Sequence, residues 1–383
     1  MTGLLDACRD RLPRMLDDVE RLVTCESPSD DLDALDRSAE VVTEVGRRVL
    51  GAEPELLVHD GRPHLRWRLG GDDRRFLLLG HHDTVWPVGT LARLPCAVHD
   101  GVLRGPGCFD MKTGVVQAFH AVAELTERRL LADGDGVTLL VTADEELGSP
   151  SSRELIEDEA RAAAAAFVLE ASGPGGALKT ERKGVSRYDV VVTGRAAHAG
   201  LEPEAGVNAG VELAHQILAI TALNDPAAGT SVTATAGRIG TTTNTVPALA
   251  QVAVDVRART ADAQERVDAA IRALTPVDPA ARVEVLGGIN RPPMAAEHSA
   301  TLAALAVAVA PSVGIAELGT VAVGGGSDGN FTAGVGTPTL DGLGAVGHGA
   351  HADDEHVLVE QIPHRTALLV RLLAELGGAD ADR

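Results

Sequence analysis

Aromatic residues are scarce in this chain, 2% of 383 positions. Any core must therefore be built mainly from Leu, Val, Ile and Ala. Basic residues are outnumbered, 34 Lys and Arg against 55 Asp and Glu, which leaves a net charge of −21. That balance excludes nucleic acid as an expected partner, because phosphate backbones demand basic patches. It favours solubility and says little about fold. Cys8, Cys25, Cys96 and Cys108 fit no C-x-x-C zinc or redox spacing, so they read as small apolar residues of a reduced protein. No stretch approaches the roughly 18 apolar residues of a membrane span. Met1-Thr-Gly-Leu-Leu-Asp-Ala-Cys-Arg-Asp10 carries neither a basic region nor a long apolar one, so no signal peptide is read there. A soluble cytoplasmic protein with no membrane partner is the expectation.

What is present is ample apolar material, 45% of the chain, in a length that exceeds one ordinary core and points to two domains. Leu4, Leu5, Cys8, Leu12, Met15, Leu16, Val19 and Val23 recur near helical spacing over 4–24, and 38–50 predicts a second helix. Short apolar runs follow at 65–69, 75–79, 137–142 and 166–169. Their length and turn-rich borders fit strands buried on both faces. A helix over 114–131 separates two of them, and the alternation predicts an α/β sheet. The Ala-rich stretch 161–166 reads as helix surface. Beyond Lys183 the pattern changes: strands over 184–193, 230–239, 249–256 and 281–286 alternate with helices over 206–223 and 261–274. That β-α-β-β-α-β order is a ferredoxin-like unit, predicted as an insertion, 183–289, into a larger domain of 1–182 and 290–383. Helices over 300–309 and 359–376 close the chain.

The adjacent Glu145 and Glu146, at the end of the 137–142 run, are the first chemical signal. Like charges side by side repel, and folding gains nothing obvious from them. A metal changes that, since one carboxylate can bind it while the other takes a proton from water. Gly80-His-His-Asp-Thr-Val85 follows another apolar strand, where α/β proteins place their sites. His81 is a candidate ligand there, and Asp83 could fix its tautomer from behind. Asp110, in Gly105-Pro-Gly-Cys-Phe-Asp-Met-Lys-Thr-Gly114, would by itself suit an N-cap. Glu170 ends the fourth run. His351 sits in Gly347-His-Gly-Ala-His-Ala-Asp-Asp-Glu-His356, which alone would read as an acidic, solvated loop. Taken together, His and carboxylate ligands suit zinc, cobalt or manganese more than calcium or magnesium. Two such metals with a bridging carboxylate are a known means of hydrolysis.

Gly80-His-His-Asp-Thr-Val85, Gly105-Pro-Gly-Cys-Phe-Asp-Met-Lys-Thr-Gly114, Asp144-Glu-Glu-Leu-Gly148 and the His351 segment, in this order along nearly the whole chain, resemble the dinuclear zinc aminoacylase/carboxypeptidase family. Its members include glutamate carboxypeptidase, acetylornithine deacetylase and succinyl-diaminopimelate desuccinylase. The resemblance implies an α/β catalytic domain with a mixed central sheet and the insertion as lid and dimerisation domain. It implies two divalent metals, zinc above all: His81 and Glu170 on one, Glu146 and His351 on the other, Asp110 bridging. Asp83 would orient His81, Glu145 would be general base and acid, and the Asp110–Met111 peptide would be cis. Gly194-Arg-Ala-Ala-His-Ala-Gly200 resembles the family's lid motif, so His198 would polarise the scissile carbonyl, from the partner subunit in dimeric members. Thr243-Asn-Thr-Val-Pro247 would place Asn244 near the substrate oxygen. Arg257 would grip a substrate carboxylate, and the loop 324–330, with Gly325 and Gly326, would line the pocket.

Two other patterns lead nowhere. Gly342-Leu-Gly-Ala-Val-Gly347 spells G-x-G-x-x-G but opens no helix. Ser327, Asp328 and His348 suggest a triad, but no G-x-S-x-G elbow exists. The expected activity is metal-assisted hydrolysis of an amide beside a free carboxylate, closest to glutamate carboxypeptidase, with N-acyl amino acid deacylation as the alternative. The substrate is a small peptide or N-acyl amino acid. A non-catalytic metal-binding protein and a nucleotide-type cofactor binder are the rival classes, and the presence of Glu145 counts against the first.

Overall fold

The run Phe76-Leu-Leu-Leu79 shows how the larger unit is assembled. Phe76 and Leu78 join one hydrophobic core while Leu77 and Leu79 join another, so both faces of this strand are covered. The computed structural model describes residues 3–378, apart from the side chain of Arg74; the expected domain's ends, 1–2 and 379–383, lie outside that range. The chain divides into two compact units, Met1–Glu181 with Ala296–Val323 and Ser327–Arg383, and Arg182–Ala295 with Gly324–Gly326.

In the larger unit, six strands form a mixed sheet in the order Glu55–His59, Arg62–Gly70, Asp135–Thr142, Arg74–His81, Ala165–Val168 and Thr339–Leu340. Arg74–His81 lies parallel to both neighbours, Asp135–Thr142 and Ala165–Val168, so three carboxyl ends point the same way. On one face pack helices Leu4–Thr24, Leu32–Leu50, Thr113–Arg128 and Gln361–Leu376; on the other, Arg153–Arg161 and Gly329–Gly334. A small antiparallel sheet joins Ala97–His99, Val102–Arg104, His356–Leu358 and Gly347–His348.

Three expectations need correction. The second helix begins at Leu32, not near 38, because Asp31 caps it by accepting from the Ala34 amide. The Ala-rich stretch is not helix surface: the helix ends at Arg161 and Ala165–Val168 is a buried strand, paired with Arg74–His81 and Thr339–Leu340. An apolar stretch of 18 residues does exist, Ala296–Val313, with mean hydropathy 1.2. Leu302, Ala303, Ala306 and Val309 from it pack into the main core, which accounts for its composition.

The smaller unit is an antiparallel sheet in the order Ser231–Ile239, Leu249–Ala258, Gly184–Thr193 and Arg282–Arg291. Val190, Val192, Val252, Val254 and Val256 pack one face against helices Ala209–Thr221 and Ala261–Arg272, giving the ferredoxin-like arrangement. Asn208 and Thr260 cap the two helices.

Candidate metal centre

Every expected metal ligand belongs to the larger unit and follows a strand or tight turn there. His81 ends its strand, Glu145 and Glu146 form a short turn after Thr142, and Glu170 follows Val168. Asp110 lies in a turn made possible by Gly107 at φ +73°, and the Asp110–Met111 peptide is cis. It is not a helix cap: the helix starting at Thr113 has no side-chain cap. The approach of this helix to the segment after Ala165–Val168 requires Gly114, since a Cβ there would stand 2.1 Å from the Leu169 carbonyl oxygen.

The ligands fall into two sets around Asp110. His81 Nε2 stands 3.5 Å from Asp110 Oδ1 and 3.7 Å from Glu170 Oε1. His351 Nε2 stands 3.4 Å from Asp110 Oδ2 and 3.1 Å from Glu146 Oε1. Donor atoms of His81, Asp110 and Glu146 lie within 4.8 Å of one another, as do those of His81, Glu145 and Glu170. His81 Nε2 and Asp110 Oδ1 are buried without a hydrogen-bond partner, a costly state for two polar atoms facing each other. A bound cation would satisfy both, and the mixed nitrogen and oxygen donors suit zinc-type metals. The residues therefore fit the group that the resemblance implies.

The ligand side chains act strongly on one another. Burial disfavours a charged His81, but the Asp110 and Asp83 carboxylates raise it well above the ordinary imidazole value. Bonds to Asp110 and Glu146 push His351 up to about 10. Burial would raise Asp110, yet His351 and His81 hold it well below the usual carboxylate range.

Buried groups behind the ligands fix their places. His81 Nδ1 is 3.0 Å from the backbone oxygen of Asp83 and 3.3 Å from its Oδ1, so the expected carboxylate shares tautomer control with a carbonyl. Asp83 also accepts from the Glu145 and Glu146 amides and from Ser29 Oγ. Sequence reasoning passed over Asp144, which accepts from the amides and hydroxyls of Ser151 and Ser152 and closes the loop after the paired glutamates. It also passed over Glu355. The acidic-loop description suits Asp353, at 77% side-chain exposure, but Glu355 is fully buried. Its Oε2 accepts from Trp86 Nε1 at 2.7 Å and the Gly107 amide at 2.9 Å. Its Oε1 accepts from the Phe109 and Asp110 amides at 2.9 and 3.1 Å. The suspected triad does not form, because Ser327 Oγ donates to Asp341 instead.

In the smaller unit the segments of His198 and Asn244 pair: the Ala199 amide donates to the Asn244 oxygen, and His198 bridges Thr245. His198 is exposed, and its Nδ1 accepts from the Gly200 amide, which leaves the proton of a neutral ring on Nε2. Arg257 is held by Asp255 through two bonds of 2.7 and 2.8 Å. Gly325 accepts from Arg182 Nη1 at 3.1 Å, and Gly326 lies beside it. Arg182 and Arg291 are both buried, and neither attracted notice in the sequence.

A mixed α/β sheet with histidine and carboxylate sets sharing one aspartate defines a metal-dependent hydrolase. The chain belongs to Peptidase family M20/M25/M40, whose pattern it matches over residues 77–375. It is 33% identical to carboxypeptidase G2 of Pseudomonas sp., across 98% of this chain and 92% of that protein. It is 29% identical to succinyl-diaminopimelate desuccinylase of Methylobacterium radiotolerans, across 92% and 94%. Its fold matches the M20 family metallo-carboxypeptidase Sso-CP2 of Sulfolobus solfataricus, TM-score 0.75, 17% identity, across 95% and 98%. It also matches the YXEP protein of Bacillus subtilis, a dinuclear metal binding peptidase, TM-score 0.69, 14% identity, across 97% and 100%. The protein is thus an enzyme, a metallopeptidase of this family.

Proposed function

We propose that this enzyme is a two-metal, glutamate carboxypeptidase-like hydrolase that cleaves an amide next to a free carboxylate. The observation that carries the reading is the pair of donor sets on the two oxygens of Asp110, with Glu145 beside them. His81, Glu170 and Asp110 would hold one cation, and His351, Glu146 and Asp110 the other, with zinc favoured and cobalt or manganese compatible. Bound there, such cations supply Lewis acidity and lower the pKa of water toward about 7. Glu145 takes the proton from the attacking water and returns it to the leaving nitrogen. Its backbone is fixed for this by Asp83. His198, with its Nε2 proton available, and Asn244 would donate to the developing oxyanion. Arg257 would select the substrate carboxylate, which must then compete with Asp255. Gly325 and Gly326 would line the pocket.

A homodimer through the smaller unit would let His198 act on the partner's substrate. Exposed Val211 and Leu218 on helix Ala209–Thr221, with Ile239 on the adjacent edge strand, support that surface. Free cysteines agree with a cytoplasmic setting. The desuccinylase relatives favour N-acyl amino acid deacylation as the second reading.

Metal analysis by mass spectrometry, paired with assays on peptidyl-glutamate and N-acyl amino acids, tests both. Two metals per chain with released glutamate support the first reading. Two metals with only N-acyl cleavage support the second. No metal retained after zinc or cobalt is added refutes both. Gel filtration at the 39.6 kDa mass of one chain would remove the cross-subunit role of His198.

A further inference from the structure

Glu355 is a carboxylate with no place among the proposed ligands and, among the described residues, no basic side chain bonded to it. It is fully buried in the larger unit, and its partners are four N–H donors, two on each oxygen. Three of them are consecutive-turn amides, those of Gly107, Phe109 and Asp110, so Glu355 fastens the turn that delivers the shared aspartate. The fourth is the indole of Trp86, three residues beyond Asp83. Glu355 itself lies four residues after His351, inside the loop joining Gly347–His348 to His356–Leu358. One side chain therefore ties together the segments of His81, Asp110 and His351.

The four donors explain why this residue is a carboxylate. A glutamine there would turn one oxygen into an NH2 group facing two N–H donors, losing two bonds and placing donor against donor. Burying a charge beside an already acidic centre is costly for folding alone. The cost becomes intelligible if the return is accurate placement of Asp110 relative to His351. We propose that Glu355 is a positioning residue of the metal centre, holding the Asp110 turn and the His351 loop in the register that two cations require. The proposal rests on the two-metal reading above.

The test uses metal-loaded full-length protein. Chelator-driven metal release, kcat, KM and thermal unfolding would be measured for wild type, Glu355→Gln, Glu355→Asp and Trp86→Phe. Partners that orient ligands typically contribute about 10–100-fold to metal affinity or activity. Glu355→Gln should release metal and lose kcat by about that factor, with KM within about twofold of wild type. Glu355→Asp keeps the charge on a shorter arm and should fall between the two. Trp86→Phe removes one donor of four and should change release less than about fivefold.

Glu355→Gln with a lower unfolding temperature but wild-type metal release and kcat would show a purely structural role and overturn the proposal. Trp86→Phe as damaging as Glu355→Gln would overturn it too, because the turn amides would then not be the contacts that matter. Should Glu355→Gln fail to fold, wild-type metal release in Glu355→Asp would be the refuting result. Wild type that binds no metal would instead sink the two-metal reading, and the two failures are distinguishable.

Discussion

Glu145 stands where two roles are geometrically open. Its carboxylate lies within 4.8 Å of donor atoms of both His81 and Glu170, so it could be a ligand or the base beside the ligands. Glu145→Gln separates the roles, because it keeps the shape and removes the proton-accepting charge. General acid–base catalysis typically contributes 10²–10⁴-fold, about 3–5 kcal/mol of barrier. If Glu145 is the base, kcat should fall by that much while two metals per chain remain and KM moves little. The backbone position should survive, since the bond from its amide to Asp83 does not involve the side chain. Charge supplies a second sign. In metal-free protein, Asp110, Glu145, Glu146 and Glu170 crowd around His81 and His351, and removing one negative charge relieves repulsion. Chelated Glu145→Gln should therefore unfold at the same temperature as chelated wild type or higher. Steady-state kinetics, metal analysis and calorimetry on the two forms read all three quantities. Loss of one metal would make Glu145 a ligand, and kcat within about fivefold of wild type would remove the base altogether.

Asp83→Asn sets an NH2 group against either the Glu145 amide or the Ser29 and Glu146 donors. It should cost about 10–100-fold in kcat, yet keep both metals, because the Asp83 carbonyl still holds His81 Nδ1; metal content beside kcat checks this. His82 is buried, with its ring nitrogens beside Ser38 Oγ and the Pro63 carbonyl, and burial lowers it from 6.5 to about 4 although the Pro63 bond acts in the opposite direction. A depressed imidazole contributes stability that is complete above pH about 6.5 and disappears as pH falls through about 4, at most about 3 kcal/mol. In urea denaturation of chelated protein, the stability gap between wild type and His82→Asn should accordingly shrink from pH 7 to pH 4, and a constant gap would contradict it. Arg257→Ala should raise KM about tenfold for substrates with a free carboxylate and leave amidated analogues unaffected; equal effects on both would remove its proposed role.

Much of this was legible from the chain alone where local pattern and tertiary demand agree. Leu77, Leu78 and Leu79 form an uninterrupted apolar run because neighbours cover both faces of their strand, so the run marks a central strand and His81 its end. The alternation of Val190, Val192, Val252 and Val254 likewise exposed the four-stranded unit. Legibility failed where distant partners decide. Ala165 and Ala166 have high helix propensity, but pair with Phe76, Leu77 and Thr339 of the neighbouring strands, and those ladders impose strand geometry. Asp30, Asp31, Asp33 and Asp36 obscured the start of a helix that Asp31 caps and whose Ala34 and Leu35 are buried. Glu355 looked like part of a solvated acidic loop, since the amide of Gly107 that buries it lies 248 residues away.

Three carboxylates outside the proposed ligand set share one task. Asp83 takes the amides of Glu145 and Glu146, Asp144 takes those of Ser151 and Ser152, and Glu355 takes those of Gly107, Phe109 and Asp110. Each fastens a loop that leaves a strand or turn at the carboxyl side of the sheet, where no regular ladder is available to satisfy backbone donors. Serine or asparagine could cap such loops with less buried charge. Carboxylates give two acceptor oxygens without any donor, which is what paired amides need. The same choice deepens the negative potential around Asp110, Glu146 and Glu170, and Asp83 and Glu355 also act on the buried Lys112. On the two-metal reading, the charge of the loops and the charge of the ligands would attract the cations in the same direction. The rigidity of the Asp110 turn and the affinity of the centre are then one property, and substitution of Glu355 should move both together.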